Sequence, residues 1–434
     1  MTDLYISAEE QGWLERILPQ ELVSELQFLD TEGADIQQTN EIWISSKGIH
    51  LPLAWFDQAP GYVFPTFMAS EPAVMRAVLG TYLGDEQWLE EISGSHPALM
   101  LELLIFAHLQ KGEHISQDLV AAWINAGNHD EEESQYRFRH NMAILLHYGD
   151  IDQTEEMPSL KECYESALAH APNVELAGFT ARHYATLLAD TGRLDEAEAH
   201  LTHTLSLPLS QPAHTSLNIL LSQILLDTLP FPVKEDDLTR LKELIWSCLQ
   251  YCEEHELGAQ TAMILISASR VANLSESFSE SLGYINRSIS MLEELELIEL
   301  TGNALMQKGT LLYTWAQNGN PQFYRPAVET YQKAVKIFTK DLAPGIFASI
   351  QHHLAVLYSE MPDENKKRHI WAAISVRSFD EALSFFTKEQ YPYEYGMICN
   401  NYGNALVKFP PAKNVDHVQM ALDYYREALQ VREA

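Results

Sequence analysis

The sequence predicts an all-α protein, an α-solenoid of stacked helix pairs winding into a right-handed superhelix, with a small N-terminal cap that includes a β-hairpin. Three observations carry this expectation. Helices with a small residue followed three positions later by a large one are repeatedly succeeded by helices with small, large and small residues at i, i+4 and i+7, which is one helical face. These units recur at spacings near the ~34 residues of helix–turn–helix repeats. A chain of 434 residues that is 46% apolar exceeds what one compact core usually serves, so several domains or an array is expected.

The N-terminal stretch departs from the repeat. Residues 7–18 and 21–29 have the spacing of two short helices. Residues 41–45 and 49–56, joined by Ser46-Lys47-Gly48, read as the β-hairpin, and the only strands are expected between positions 41 and 56. Pro52, Pro60 and Pro65 prevent long helices there. Residues 1–95 are therefore expected to cap the first repeat's apolar face or to form a docking module. Helices follow at 71–83, 85–92, 97–109 and 116–126. Residues 96–135 make a divergent helix pair closed by the polar run 128–134.

The array is expected to occupy residues 136–434. Its first unit pairs a helix at 141–148 with one carrying Tyr164 and Ala167 before Pro172. Next, Ala185 and Leu188 precede Ala197, Leu201 and Thr204, with the uninterrupted step of 12 from small residue to small residue. Segments 216–227 and 238–254 have helix length but poor small-residue matches. Ser269 and Val271 with Ser281, Ile285 and Ser288 form a weaker copy. Gly309 and Leu312 lead to Ala327, Tyr331 and Ala334, with extra residues around Asn318-Gly319-Asn320-Pro321. Ala355 and Tyr358 lead to Ala382 and Phe386 across a longer insertion. The clearest unit is the last, where Gly403 and Leu406 precede Ala421, Tyr425 and Ala428.

This small–large, Ala–aromatic–Ala grammar resembles the tetratricopeptide repeat (TPR). The later units, with Ile350-Gln351-His352-His353-Leu354-Ala355-Val356-Leu357-Tyr358 and residues 421–432, are most similar to kinesin light chain repeats. Phe379-Asp380-Glu381-Ala382-Leu383 and Asn400-Asn401-Tyr402-Gly403-Asn404-Ala405 also resemble the bacterial arrays that precede CHAT peptidases. The resemblance implies an interaction protein, with first helices lining a concave groove that holds extended peptides through polar groups. It implies a catalytic His and Cys only in a peptidase domain, and none follows before Ala434.

Charge is unevenly placed. Of 28 Lys/Arg and 61 Asp/Glu, residues 321–434 hold 13 of each, so the entire net charge of −33 sits on residues 1–320. Such a field repels nucleic acid and anionic membranes and attracts a basic protein or peptide, besides keeping the chain soluble. No apolar run reaches membrane-spanning length. The Met1-Thr2-Asp3-Leu4-Tyr5-Ile6 start lacks a signal peptide's basic and apolar regions. Four cysteines without paired spacing suit a reducing, cytoplasmic setting.

Catalytic and metal signatures are weak. Cys248, Cys252 and His255 lie at i, i+4, i+7 and would aim three ligands one way, yet with Leu241, Leu244 and Ile245 they equally describe a buried helix face. There is no phosphate loop, Gly-x-Ser-x-Gly or His-Glu-x-x-His. No active site, metal or cofactor is expected.

Recognition is the expected role. The slot two residues before each small residue holds His183, Ser267, Gln307, His353 and Asn401. Asn and Gln both donate and accept, so they can read a peptide main chain. With the flanking His352, Asn400 and Asn404, this column is the candidate peptide-binding site. A Lys near the Asn after the Gly is absent, which argues against carboxylate capture. On the last helix Leu422, Tyr424, Leu429 and Val431 are expected at an open edge that docks a second copy or a partner. The expectation is thus a non-enzymatic adaptor or scaffold in a bacterial regulatory, signalling or defence assembly. Its alternatives are an acidic subunit that occupies a basic partner or mimics nucleic acid, and an α/α-helical enzyme with a deep pocket in place of an open groove.

Overall fold

The computed structural model describes residues 2–6, 8–30, 42–45, 48–51, 53–56, 61–64, 71–126, 132–151, 157–230, 232–362, 367–411 and 415–433. The Ser46-Lys47 turn and residues 127–131 of the polar loop lie outside these. The chain forms two units, Met1–Pro232 and Val233–Ala434.

The first unit begins with strand β1 (Thr2–Ile6), helices α1 (Ala8–Ile17) and α2 (Gln20–Glu25), then β2 (Leu26–Asp30), β3 (Ile42–Ser45) and β4 (Gly48–His50). The sheet order is β2-β1-β3-β4. β3 and β4 form the expected antiparallel hairpin, with Trp43 opposite His50. β1 and β2 correct the sequence reading, which placed strands only between 41 and 56 and a helix over 21–29. Helix α2 stops at Glu25, and Leu26 to Asp30 pair in parallel with Thr2 to Ile6. That ladder is a non-local partner that local apolar spacing cannot reveal. Leu14, Leu18, Leu22 and Leu26 bury against Met75 and Leu79 of α3 (Pro72–Tyr82).

A 3₁₀ turn (Leu89–Ile92) follows, then α4 (Pro97–Lys111), α5 (Gln117–Ala126), α6 (Glu132–Tyr148), α7 (Leu160–Ala169), α8 (Val174–Asp190), α9 (Leu194–Leu205) and α10 (Gln211–Asp227). The sequence sets their starts. Ser159 and Glu162 form a reciprocal capping box on α7, and Asn173 and Ser210 cap α8 and α10, satisfying first-turn amides that lack helical partners. α4 pairs with α5, α6 with α7 and α8 with α9, so α4, α6, α8 and α10 are the alternate, first helices.

The second unit runs α11 (Glu235–Glu254), α12 (Gly258–Leu274), α13 (Phe278–Glu294), α14 (Ile298–Gln317), α15 (Tyr324–Ile337), α16 (Pro344–Glu360), α17 (Arg368–Leu383), α18 (Pro392–Lys408) and α19 (His417–Glu433). Apart from an isolated Ile115–Ile151 bridge, no strand follows His50 among the described residues. Helices α12–α19 pack as four successive pairs. The small residues work as the repeat grammar requires. A Cβ on Gly309 would stand 2.7 Å from the Tyr331 ring, and one on Gly403 2.6 Å from the Tyr425 ring. Where no glycine is present, serine lets the pair close: Ser269 and Ser281 each donate to the other's carbonyl, at 2.9 and 2.7 Å.

One register is corrected. The helix facing Ala355 presents Ser375, Phe379 and Ala382, all fully buried, at the i, i+4, i+7 positions assigned to a set starting at Ala382. Ser375 donates to the Ala355 carbonyl at 2.7 Å, so a serine fills the slot that the search for alanine passed over.

Three inter-helix turns share one backbone device. Glu256, Glu276 and Glu296 have φ of 54°, 58° and 56°. Beyond them the amides of Leu257, Ser277 and Leu297 return to Cys252, Ala272 and Leu292, closing helices α11, α12 and α13 with Schellman-type turns.

Candidate functional site: the first-helix faces

In the second unit the first helices are α12, α14, α16 and α18, and they carry most of the predicted column. Gln307 and Asn404 are exposed, Asn400, Asn401 and His353 are half-buried, and His352 is buried. Asn401 donates through Nδ2 to His352 Nε2 at 2.9 Å, linking α18 to α16. Burial, with His353 adding a smaller repulsion, lowers the His352 pKa to about 4, so the ring is neutral and Nε2 can accept. His353 stacks on Tyr331 (5.2 Å between centroids, 10°). Tyr425 donates to the Asn404 carboxamide oxygen at 2.8 Å. From His352 the aromatic contacts continue through Phe379 to Tyr402 and on to Tyr424, the last two ring pairs 4.4 and 4.3 Å apart.

At the end of these helices Glu360 of α16 accepts from Lys408 (2.8 Å) of α18, Tyr313 (3.0 Å) of α14 and Tyr324 (3.4 Å) of α15. It ties three first helices and one second helix together.

On α19 Leu422 is 45% and Leu429 55% exposed. The other two residues of the predicted edge turn inward. Tyr424 is half-buried on Tyr402, and Val431 is half-buried and packs beside Gly396. Ala421 and Ala428 are buried and Tyr425 covers Gly403, so Tyr424 sits beside the inward stripe and Val418 takes its place on the open side, 63% exposed.

The first unit's first-helix face holds a strap of the chain itself, residues 53–56 and 61–64. Trp55 packs edge-on against Phe179 of α8 (5.1 Å), and its carbonyl accepts from Ser216 of α10 at 2.7 Å. The Gly61 carbonyl lies 2.8 Å from His140 Nε2; since a carbonyl only accepts, that nitrogen carries the proton. Asn141 of α6 holds both main-chain groups of Val63, accepting from its N–H at 2.8 Å and donating to its carbonyl at 2.9 Å. The same Nδ2 donates to Glu102 of α4 at 2.8 Å, a buried carboxylate also held by Arg137 at 3.0 Å. Tyr62 donates to the Glu102 carbonyl at 3.0 Å and packs on Phe106.

His183, the first-unit member of the predicted column, is buried beneath Gly61, whose φ is 63° and whose added Cβ would collide with His183 Nε2. Asn141, His140, Glu102 and Ser216 were missed by the sequence reading. Asn141 had a usable signal, because it stands two residues before the buried Ala143, the same slot as Asn401.

Cys248 and Cys252 are buried, with burial pushing both thiols up to about 12, and His255 stacks on Tyr251. They are a helix's packed face, and no cluster of metal-ligating side chains occurs among the described residues. No helix among them is long and apolar enough to cross a membrane.

No protein-family model matches the chain, and a search of the curated proteins returned no match. A solved structure with a similar fold is the apo form of RapI, with a TM-score of 0.54 over 83% of this chain and 93% of that one, at 11% identity. The likeness is one of fold. The chain has a TPR-like helical-repeat fold.

Proposed function

We propose that the protein is a non-enzymatic adaptor that holds an extended segment of a partner protein along the first helices of its second unit, with Asn400, Asn401, Asn404 and Gln307 reading the main chain. One observation carries this reading. Asn141 and Asn401 occupy the same slot, and each turns its Nδ2 to the preceding first helix, Asn141 to Glu102 and Asn401 to His352. In Asn141 the carboxamide oxygen then accepts the main-chain N–H of Val63. In Asn401 the equivalent oxygen is oriented by the same kind of bond and offers the same acceptor to a ligand. Neutral carboxamides favour main chain over a particular side-chain sequence.

The excess of acid before residue 320 favours a basic partner, in keeping with a cytoplasmic regulatory, signalling or defence assembly. The likeness of the later units to kinesin light chain repeats supports peptide recognition. The same acidity supports a second reading, a subunit that simply occupies a basic partner. The two differ in salt dependence: steep loss of binding means charge, shallow loss means groove contacts. The test is selection of displayed random 12-residue peptides on the full chain, counter-selected against a Gln307→Ala/Asn400→Ala/Asn404→Ala variant. Peptides that prefer the wild type by roughly tenfold or more support the reading. Binders indifferent to the triple variant would remove it.

A further inference from the structure

The strap is held in an unusual way for a piece of core. Its buried main-chain groups find partners in side chains of α6 and α10 instead of in a sheet or helix: Asn141 takes both groups of Val63, His140 takes the Gly61 carbonyl and Ser216 the Trp55 carbonyl. These partners sit on alternate helices, the face that a helical-repeat array offers to extended ligands. Aromatic side chains fill the rest, Trp55 on Phe179 and Tyr62 on Phe106. Between them a residue without a Cβ is required, because a Cβ on Gly61, whose φ is 63°, would collide with the His183 ring. That ring's Nε2 is fully buried, has no hydrogen-bond partner and is aimed at the strap.

We infer that the first-helix face of the first unit is a peptide site, shaped for an aromatic–glycine–aromatic–apolar segment, which the chain fills with its own residues 53–56 and 61–64. A peptide of that chemistry binds in trans by displacing the strap. The occupant in cis has an effective concentration in the millimolar range, so the wild-type site is closed to all but tight or abundant competitors. The site lies on α4, α6, α8 and α10 and involves none of the second unit's asparagines, so its failure would leave the reading of that unit standing.

The test uses the full chain and a fluorescein-labelled synthetic peptide of residues 53–64. Gly61→Ala places a methyl against His183 and weakens the strap while leaving the helices intact. Anisotropy titrations should show the peptide binding this variant roughly tenfold or more tighter than wild type, and adding Asn141→Leu should abolish the gain. A folded Gly61→Ala chain that binds no better than wild type would overturn the inference. Hydrogen exchange on the wild type decides the matter even if the variant does not fold. The Val63 amide, held by one side-chain oxygen, should exchange roughly 100-fold faster than the interior amides of α6 and α8, through local opening. Protection equal to those helices would show that the strap leaves only on global unfolding, and the site would be core.

Discussion

Asn401 on α18 donates to the buried, neutral ring of His352 on α16 across 2.9 Å. The contact joins two successive first helices by side chains alone and leaves the Asn401 carboxamide oxygen oriented. Asn401→Ala strands a buried ring nitrogen and is expected to cost about 1–2 kcal/mol of stability. It should weaken a groove-bound peptide by a similar amount. Urea unfolding and peptide titration of the same variant measure the two effects separately.

Acid should destabilise both units. Burial holds His140 and His352 at about 4 and lowers His183 well below its ordinary value, against about 6.5 in the unfolded chain. Between those values the unfolded state binds more protons, so stability is complete above pH 6.5 and falls progressively toward pH 4. At pH 5 His140 and His352 should each cost roughly 2 kcal/mol. Unfolding midpoints at pH 7 and pH 5 check this, and His352→Gln should flatten the profile of the second unit.

Glycine should improve three turns. Glu256, Glu276 and Glu296 adopt a left-handed conformation that costs a residue with a Cβ about 1 kcal/mol. Each Glu→Gly exchange is expected to stabilise by about 0.5–1 kcal/mol, read as a rise in thermal midpoint. The same exchange at Glu243, in the interior of α11, should destabilise.

Glu102 anchors the first unit. It is 4% exposed and bonded to Arg137 and Asn141. Glu102→Ala removes the acceptor that the half-buried Arg137 guanidinium and the buried Asn141 carboxamide share and should cost about 1.5–3 kcal/mol, measured by denaturant unfolding. Asn141 should also lose its grip on Val63, seen as faster exchange of that amide.

The open side of α19 should associate. Val418, Leu422 and Leu429 form an exposed apolar stripe, and residues 321–434 carry no net charge to keep copies apart. Light scattering should show self-association that a Leu422→Asp/Leu429→Asp variant abolishes. A strictly monomeric wild type would show that the stripe is merely tolerated.

Repeat grammar is local, and local features were readable. Gly309 and Gly403 identified their partners Tyr331 and Tyr425 because a glycine's function is to make room for a ring. Ser375 was passed over because a serine satisfies the same spacing by donating to the opposite backbone, an alternative that spacing alone does not distinguish. β1 and β2 were invisible for a different reason: each is defined by the other, 24 residues away. The strap is the extreme case. Tryptophan, glycine and tyrosine among prolines read as cap, and nothing in residues 53–64 names the helices that hold them. Only the slot of Asn141 pointed there.

The strap also sets the order in which the first unit can be assembled. Trp55 and Ser216 are separated by 161 positions, whereas the helix pairs of the second unit join neighbours in the chain. Closing so long a loop carries an entropic cost that local pairs avoid, and contacts of that range slow folding. During synthesis the strap emerges early and waits, unpartnered at one end, until α10 has left the ribosome. The second unit can grow pair by pair, in the graded manner of a linear array. The first unit, fastened from α4 to α10 by a single thread, gains its final stability in one step, when the last of those helices arrives.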